Sequence, residues 1–441
     1  MSRPPLFHGR GSKAPVPIHP VRDMTIQSCG LDFGTTNSTL GIVRDGRPEL
    51  IALENGQRTM PTALFFSRED GRTYAGRAAV HEYVDGAEGR FMRALKSVLG
   101  SSLMGEKTVV GRERLAFAEI VGLFLKLLKE RMEAETGASA SRVVLGRPVH
   151  FVDGDEAADK AAEGQLEGAA RAQGFSEIAF QFEPVAAALD YERTVAGEEL
   201  ALVVDIGGGT SDFSVIRLSP EAARRPERKE DILSATGVHI GGTDFDRLLS
   251  IAKAMPALGL GTSTRDGKRR LPVWYWNDLA TWHRINLLYD PKVANGLRDL
   301  QKQAAEPEKL TRLLALLDAR AGHRLAGASE AAKIALTDDE LAYIRLKEIG
   351  LDLDEPVTRG EFESVVAELV AGIAGSVGEA LTVAGVAPEA IDTLLLTGGS
   401  TQVPIVRRTV KAMFPNARVV DADAFGSVGL GLAIDASRKF G

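Results

Sequence analysis

The chain has 441 residues, a formal net charge of −7, 44% hydrophobic and 26% charged side chains, which is the composition of a soluble globular protein of roughly two or three domains. The acidic balance argues against the basic face that a nucleic-acid backbone selects, and no apolar run reaches the roughly 18 residues that a membrane helix needs, so neither a nucleic-acid nor a membrane partner is expected. One cysteine, Cys29, excludes an intramolecular disulfide and suits a reducing cytoplasm, and the seven histidines include no pair at zinc-ligand spacing.

Residues 1–24 are rich in Pro, Gly and Arg and lack both periodicity and the apolar centre of a signal peptide, so a disordered tail is expected there, with Met24 as a second start. Residues 30–43, GLDFGTTNSTLGIV, read as strand, turn and strand, with Cys29 as a small core residue beside them. Asp32 and Gly34 mark the turn, and Thr35, Thr36 and Asn37 follow. Residues 50–66 are expected to continue that sheet, and residues 91–100 to form a short helix carrying Lys96. Ile120, Phe124, Leu127, Leu128 and Met132 at helical spacing predict a helix over 118–135, stopped by Gly137. Residues 142–151 read as a buried strand ending at Pro148, 156–172 as a helix closed by Gly174, and 177–182 as a strand. Pro184 favours a helix start, so 184–192 is expected to be helical with Glu183 at its mouth and Ala186, Ala187 and Ala188 as a small packing face.

Residues 201–218, ALVVDIGGGTSDFSVIRL, repeat the first arrangement. Asp205 ends an apolar strand, and Gly207, Gly208 and Gly209 can curl their N–H groups around an anion. Thr210 and Ser211 add hydroxyls before the chain returns as a second strand. A carboxylate beside a phosphate cradle commonly holds a hydrated divalent cation. The plain alternative is a glycine-rich hairpin with a solvated Asp. Repetition decides between them: Asp32 and Asp205 lie far beyond any short repeat period, as one hairpin used in each of two facing halves.

Further on, Gly241 and Gly242 lead into a helix, and 256–325 is irregular, with a basic loop at 265–270 followed by amphipathic helices. Thr358 and Glu361 form a capping box for a helix running to about Ala384. Residues 391–403 read as a buried strand entering a third glycine turn, with Pro404 as the next helix start. Alternating strands and helices argue for α/β layering, and the absence of a GxxxxGK[ST] loop excludes a P-loop enzyme.

LDFGTTNS, VVDIGGGTSDFSV and LLLTGGSTQVPIV, in that order, resemble the two phosphate motifs and the adenosine motif of the actin, sugar-kinase and heat shock protein 70 superfamily. FEPVAAAL at 182–189 is similar to its connecting helix. ENGQRTMP, ALKSVLG, GGTDFD, EAAK at 330–333 and VTRGEFE narrow the likeness, over about 25–432, to the nucleotide-binding domain of DnaK-type chaperones.

The resemblance implies an α/β chain with the actin-like ATPase fold: a duplicated ribonuclease H-like unit in two lobes around a nucleotide cleft. Lobe I would span 25–198 and lobe II 199–441, with an aromatic-rich helical subdomain at about 244–330. ATP or ADP and Mg2+ are the implied cofactors. Asp32 and Asp205 would hold Mg2+ through water, and Gly34, Thr35, Thr36, Asn37, Gly207, Gly208, Gly209 and Thr210 would grip the phosphates. Lys96 and Glu183 would place the attacking water, completing a catalytic set with Asp205 and Thr210. Gly241, Gly242, Glu330, Lys333, Ile334, Gly398, Gly399, Ser400, Gln402 and Asp423 would complete the cofactor pocket on its nucleoside side. The plain alternatives are a solvated Lys96, a helix-terminus carboxylate at Glu183 and a surface i,i+3 pair of Glu330 with Lys333.

Three departures qualify the likeness. Ile334 and Gln402 stand where the family has arginines flanking the adenine, so cationic stacking on the base is lost. Thr243 replaces an acid, which weakens a salt bridge across the cleft. After Gly429 only twelve residues follow, so no peptide-binding domain is expected in this chain, as in YegD-like relatives. Residues 273–289 hold all three tryptophans, Trp274, Trp276 and Trp282, and are not typical of the chaperones. They read as the core of an enlarged subdomain, or alternatively as a docking surface for a protein partner on lobe II. The expected function is slow, Mg2+-dependent ATP hydrolysis by a DnaK-like chaperone homologue. Its rivals are a small-molecule kinase of the same superfamily and a nucleotide-gated scaffold without significant hydrolysis.

Overall fold

The structure, a computed structural model, describes residues 28–110, 113–225, 228–347, 353–423 and 426–441; the tail expected at 1–24 lies outside them. The first hairpin forms as its pattern predicts, with β1 (Ser28–Phe33) and β2 (Asn37–Arg44) antiparallel and Asp32 opposite Thr39. Strands β3 (Arg47–Leu50) and β4 (Thr59–Pro61) also pair with β2. The next strands leave that sheet. β5 (Ala63–Ser67), β6 (Thr73–Ala75) and β7 (Gly89–Arg93) make a three-stranded sheet of their own, so the continuation expected through residue 66 ends at Pro61.

The helix expected over 91–100 is likewise corrected. Phe91 pairs with Phe65 and Met92 with Leu64 across β5 and β7, Ala94 turns at φ 56°, and only Leu95–Val98 winds, as a single 3-10 turn that carries Lys96. Cross-strand packing of large apolar side chains outweighs the helix propensity of this stretch.

Helix α1 (Arg77–Val84) bridges β6 and β7, and β8 (Lys107–Val110) with β9 (Glu113–Ala116) forms a hairpin. Helix α2 (Phe117–Thr136) stops where Gly137 adopts φ 69°, a left-handed turn that costs glycine little. Then come β10 (Arg142–Arg147), α3 (Glu156–Ala172), β11 (Glu177–Phe182) and α4 (Glu183–Tyr191), with Pro184 in the first turn of α4. The first large sheet therefore runs β11-β10-β1-β2-β3.

The second hairpin, β12 (Glu199–Ile206) and β13 (Ser211–Leu218), sits with β14 (Ile232–Val238) in another sheet. Helix α5 (Gly242–Leu249) continues through a π turn into α6 (Met255–Ala257), followed by α7 (Trp274–Leu279), α8 (Pro291–Gln303), α9 (Pro307–Asp318) and α10 (Gly322–Ala335). A short hairpin, β15 (Leu341–Arg345) and β16 (Asp354–Thr358), precedes α11 (Arg359–Ala384). The chain ends with β17 (Thr393–Thr397), α12 (Pro404–Met413), β18 (Arg418–Asp421) and α13 (Ser427–Phe440).

The second large sheet is ordered β18-β17-β12-β13-β14. Both large sheets thus have a central strand with parallel neighbours on one side and antiparallel neighbours on the other. The duplication visible in two hairpins extends to whole sheets.

At the start of α11 the Thr358 N–H donates to Glu361 Oε2 (2.9 Å) and the Glu361 N–H to Thr358 Oγ1 (3.2 Å), a reciprocal cap worth about 1 kcal/mol. α11 also corrects one expectation, being long and apolar enough to cross a membrane by length and composition. Its buried residues, Phe362, Val366, Val370, Ile373 and Val377 among them, pack into the core of the second half against β13 and β14. Trp276 is fully buried, with its indole N–H donating to the Leu258 carbonyl, and Trp282 is nearly so, whereas Trp274 is 42% exposed and stacked on Tyr275. Two of the three tryptophans are therefore core.

The halves are joined by α4 and α13. Although last in the chain, α13 packs on β1, β2 and β10 of the first sheet and against α4, which reaches β12 and β13 of the second. Val185, Ala186, Ala187 and Ala188 meet Val428, Leu432 and Ala436 in one apolar cluster. A Cβ on Gly431 would lie 1.7 Å from the Ala186 carbonyl oxygen, so only glycine permits this crossing. Gly431→Val is expected to destabilise the protein by at least about 2–3 kcal/mol in urea unfolding. Gly164→Ala, inside α3 where an added methyl meets nothing within 4 Å, should instead stabilise it by about 0.5–1 kcal/mol.

Candidate functional site

The two hairpin turns meet. A Cβ on Gly208 would lie 2.1 Å from Thr36 Oγ1, and one on Gly209 would lie 2.9 Å from Thr35 Oγ1. Two further glycine turns close around the second hairpin. The Gly242 N–H donates to Gly207 O (3.0 Å), the Thr243 N–H and hydroxyl both donate to Gly208 O (2.8 and 2.7 Å), and the Ser400 hydroxyl donates to Gly207 O (3.0 Å). Gly398, at φ 80°, approaches Asp205 and the Ile206 carbonyl so closely that no side chain would fit. Carbonyls of the 207–209 turn are thus taken up behind it.

A cavity of about 530 Å³ opens where these turns converge. It is lined by Asp32, Gly34, Thr35, Thr36, Asn37, Lys96, Glu183, Asp205, Gly207, Gly208, Gly209 and Thr210 on one side, and by Gly242, Glu330, Lys333, Ile334, Gly398, Gly399, Ser400 and Gln402 on the other. Two residues of the sequence-derived set are not in its wall. Gly241 stands behind it, its Cα packed on the Gly208 and Gly209 backbone, and the Asp423 carbonyl accepts from Gly426 and Ser427 at the start of α13.

The electrostatics are dominated by carboxylates. Lys96 and Glu183 are both buried and ion-paired. Burial alone would depress the Lys96 ammonium, but Glu183 and Asp32 beside it raise it above the ordinary lysine value. Burial, reinforced by Glu183 and opposed by Lys96, pushes Asp32 up to about 7. Asp205 is raised well above the usual carboxylate range by burial and then by Glu183, Asp212 and Asp32, so the carboxylates of both hairpins feel one field.

Asp212 is the residue that sequence reasoning missed. It pairs with Asp205 across β12 and β13, the position that Thr39 fills opposite Asp32 in the first hairpin. Its carboxylate accepts from the Val149 N–H (2.6 Å) and from Thr210, and burial with Glu183 nearby pushes it up to about 7. The signal was present in the motif, as the acid seven residues after Asp205. Among the described residues no group of three or more His, Cys, Asp or Glu converges as a direct metal cage. A cation here would therefore rest on two carboxylates, water and a ligand's own oxygens.

On the opposite wall the structure replaces the surface-pair reading of Glu330 and Lys333. Glu330 receives both nitrogens of the Arg93 guanidinium (2.6 and 2.9 Å) from the first half. Lys333 pairs with buried Asp246 (2.9 Å), a carboxyl that burial raises to about 6 against the pull of Lys333. A cross-cleft link thus exists although Thr243 is not acidic. Ile334 is 60% exposed and lines the cavity edge, so it presents an apolar side chain there.

Residues 28–253 and 302–438 match the family model described as Hsp70 protein. Curated relatives named Chaperone protein DnaK from Thermotoga petrophila and Thermotoga maritima are each 30% identical over 415 residues, 92% of this chain and 59% of theirs. The protein of that name from Thermosipho africanus is 29% identical over 414 residues, 92% of this chain and 58% of its own. The chain thus spans under three fifths of the length of these curated relatives, 58–59% of each. The stretch between the two matched segments contains all three tryptophans. Duplicated sheets, facing acidic turns and a match over most of the sequence lead to one conclusion: the chain belongs to the Hsp70 family and has the actin-like ATPase fold.

Proposed function

We propose that this chain binds an adenine nucleotide with Mg2+ in the cavity between its hairpin turns and hydrolyses ATP slowly, coupling nucleotide state to closure of the cleft. The observation that carries the reading is the direct approach of Thr35 and Thr36 to Gly208 and Gly209, with Asp32 and Asp205 in one field. Family membership and relatives named as chaperones support it, and a cytoplasmic setting with a protein partner at the exposed Trp274 face belongs to the same proposal.

In this reading the N–H groups of Gly34, Thr35, Thr36 and Gly207–Gly209 receive the phosphates, with hydroxyls from Thr35, Thr36 and Thr210. Mg2+, when bound, supplies positive charge against the phosphate oxygens, and Asp32 and Asp205 would hold it through water. Lys96 and Glu183 orient the attacking water, and Asp212 acts as a positioning residue through Thr210. Hydrolysis of this kind is mainly placement and charge stabilisation, which suits a site built from backbone and fixed ions. Gly398, Gly399 and Ser400 pack beside the nucleoside, Ile334 covers one face of the base and Gln402 borders it. Glu330 and Lys333 reach the ribose while keeping their partners Arg93 and Asp246.

One observation favours a nucleotide-gated scaffold as the second reading: Lys96 and Glu183 are engaged with each other, which takes up part of the hydrogen-bonding capacity each would offer to water or phosphate. Single-turnover kinetics separate the two. Under the first, Lys96→Ala slows ATP hydrolysis by about 10²–10³-fold while binding persists. Under the second, wild type binds ATP without measurable cleavage. The absence of calorimetric heat with both ATP and ADP would remove both readings.

The pH dependence has a definite sign. At pH 6 Asp32, near 7, is mostly protonated and a cation must displace that proton; at pH 8 it is ionised. Mg2+-dependent ATP affinity should therefore rise with pH, by up to about tenfold per unit below pH 7, and level off above it. Calorimetry in two buffers of different ionisation enthalpy should show the matching proton release at pH 6.

A further inference from the structure

A second cavity, of about 320 Å³, lies between the two halves, away from the hairpin turns. One wall is the edge of the three-stranded sheet, with Arg68 after β5 and the Gly86–Gly89 segment before β7. The other is the turn between α9 and α10, with Arg320 and Arg324. Arg90 directly follows Gly89 on β7. Two carboxylates, Glu88 and Asp318, also face this space, and Asp318 already has Arg298 beside it at 3.6 Å. Among the described residues Arg68, Arg90, Arg320 and Arg324 take part in no ion pair, although 30 other pairs occur in the chain. Three guanidinium groups, from Arg68, Arg320 and Arg324, have therefore gathered around one space that only two carboxylates face, with Arg90 adding its charge from behind the wall.

Three details separate this cluster from a solvated basic face. Behind Gly89, the Arg90 Nε is buried and has no hydrogen-bond acceptor among the described residues, so its charge is poorly compensated on the protein side. Burial, and then the charges of Arg320 and Arg68, hold Arg90 below the ordinary arginine value, so these groups are close enough to repel. Arg320 is one of four non-glycine residues at positive φ (51°), its carbonyl receives the Tyr83 hydroxyl (2.8 Å), and its guanidinium lies over the Tyr289 ring. Arg324 donates one nitrogen to the Val84 and Tyr83 carbonyls, which fixes the fork and leaves its remaining donors unassigned. Arg320 and Arg324 are thus held in place, while Arg68 stands exposed at the rim.

We infer that this inter-half cavity is a binding site for a small phosphate-bearing anion, held by Arg68, Arg320 and Arg324 with Arg90 adding positive charge from behind the wall, and separate from the cavity between the hairpin turns. Planar guanidinium forks match phosphate oxygens two at a time, and arginines converging from several directions suit a diphosphate better than a monocarboxylate. The volume suits a pyrophosphate-sized group and leaves room for its substituent. Because the arginines come from both halves, an occupant ties the three-stranded sheet to the α9–α10 turn.

The test is calorimetric titration of pyrophosphate into the full chain at about 0.15 M salt, where surface charge is screened over about 8 Å. Wild type should bind one equivalent at this cavity, an equivalent that persists when the cradle between the hairpin turns is filled. Arg68→Gln, at an exposed position, and Arg320→Gln should each weaken binding at least tenfold, with unchanged circular dichroism as the check on folding. Gly208→Val, which fills the cradle between the hairpin turns, should leave this binding in place. Amide exchange in 84–89 and 319–324 should slow when pyrophosphate is added. Absence of binding, binding indifferent to both arginine substitutions, or binding abolished by Gly208→Val would each overturn the inference. None of these readouts depends on nucleotide hydrolysis, so failure of the proposed function would show separately.

Discussion

Four carboxylates, Asp32, Glu183, Asp205 and Asp212, share one ammonium, Lys96, at or just behind the wall of the cavity, and all of them except the half-buried Asp32 are buried. Like charges gathered this way cannot all stay ionised unless something positive joins them, and protonation near neutrality is how the isolated chain relieves the repulsion. The rest of the architecture serves to hold that arrangement. Two sheets of identical topology each bring one acid to the end of a central strand, and the crossing of α4 and α13 sets the sheets so that the acids face each other. Glycines line the approach because any Cβ would occupy the gap.

Much of this was legible in the residues. The Asp-x-Gly turns at Asp32 and Asp205, each between apolar strands, located both hairpins, and the capping box at Thr358 and Glu361 located α11 to the residue. The failures have physical causes. Phe91 and Met92 look helical in isolation, but their partners Phe65 and Leu64 lie some twenty-five residues earlier, and only tertiary pairing makes them a strand. For Glu330 and Lys333, which the resemblance puts in the cofactor pocket, the partners Arg93 and Asp246 come from distant parts of the chain and could not be read from helical spacing. Asp212 was overlooked because a strand residue facing inward resembles any other until its cross-strand partner is known.

Away from the acids the halves touch through a mixed contact. Tyr83 stacks on Phe91 with ring centroids 4.6 Å apart, and His323 meets both edge-on at 5.4 Å. Burial holds the His323 imidazole far down, near 3, so it remains neutral and adds no charge beside Arg90 and Arg93. Arg93 lies over the Trp282 ring at 4.6 Å while gripping Glu330. Apolar area and one charge-assisted fork therefore act together, and the tryptophan comes from the stretch that the family model leaves unmatched.

Cys29 has a practical corollary. Its thiol is the chain's sole sulfhydryl, lies fully enclosed at the start of β1 and is pushed up to about 12 by burial, so it offers no thiolate to alkylating reagents in the native fold. A fluorophore or spin label attached to a cysteine introduced on either rim will consequently report from that position alone, and the width of the opening can be followed in solution without first removing a native residue.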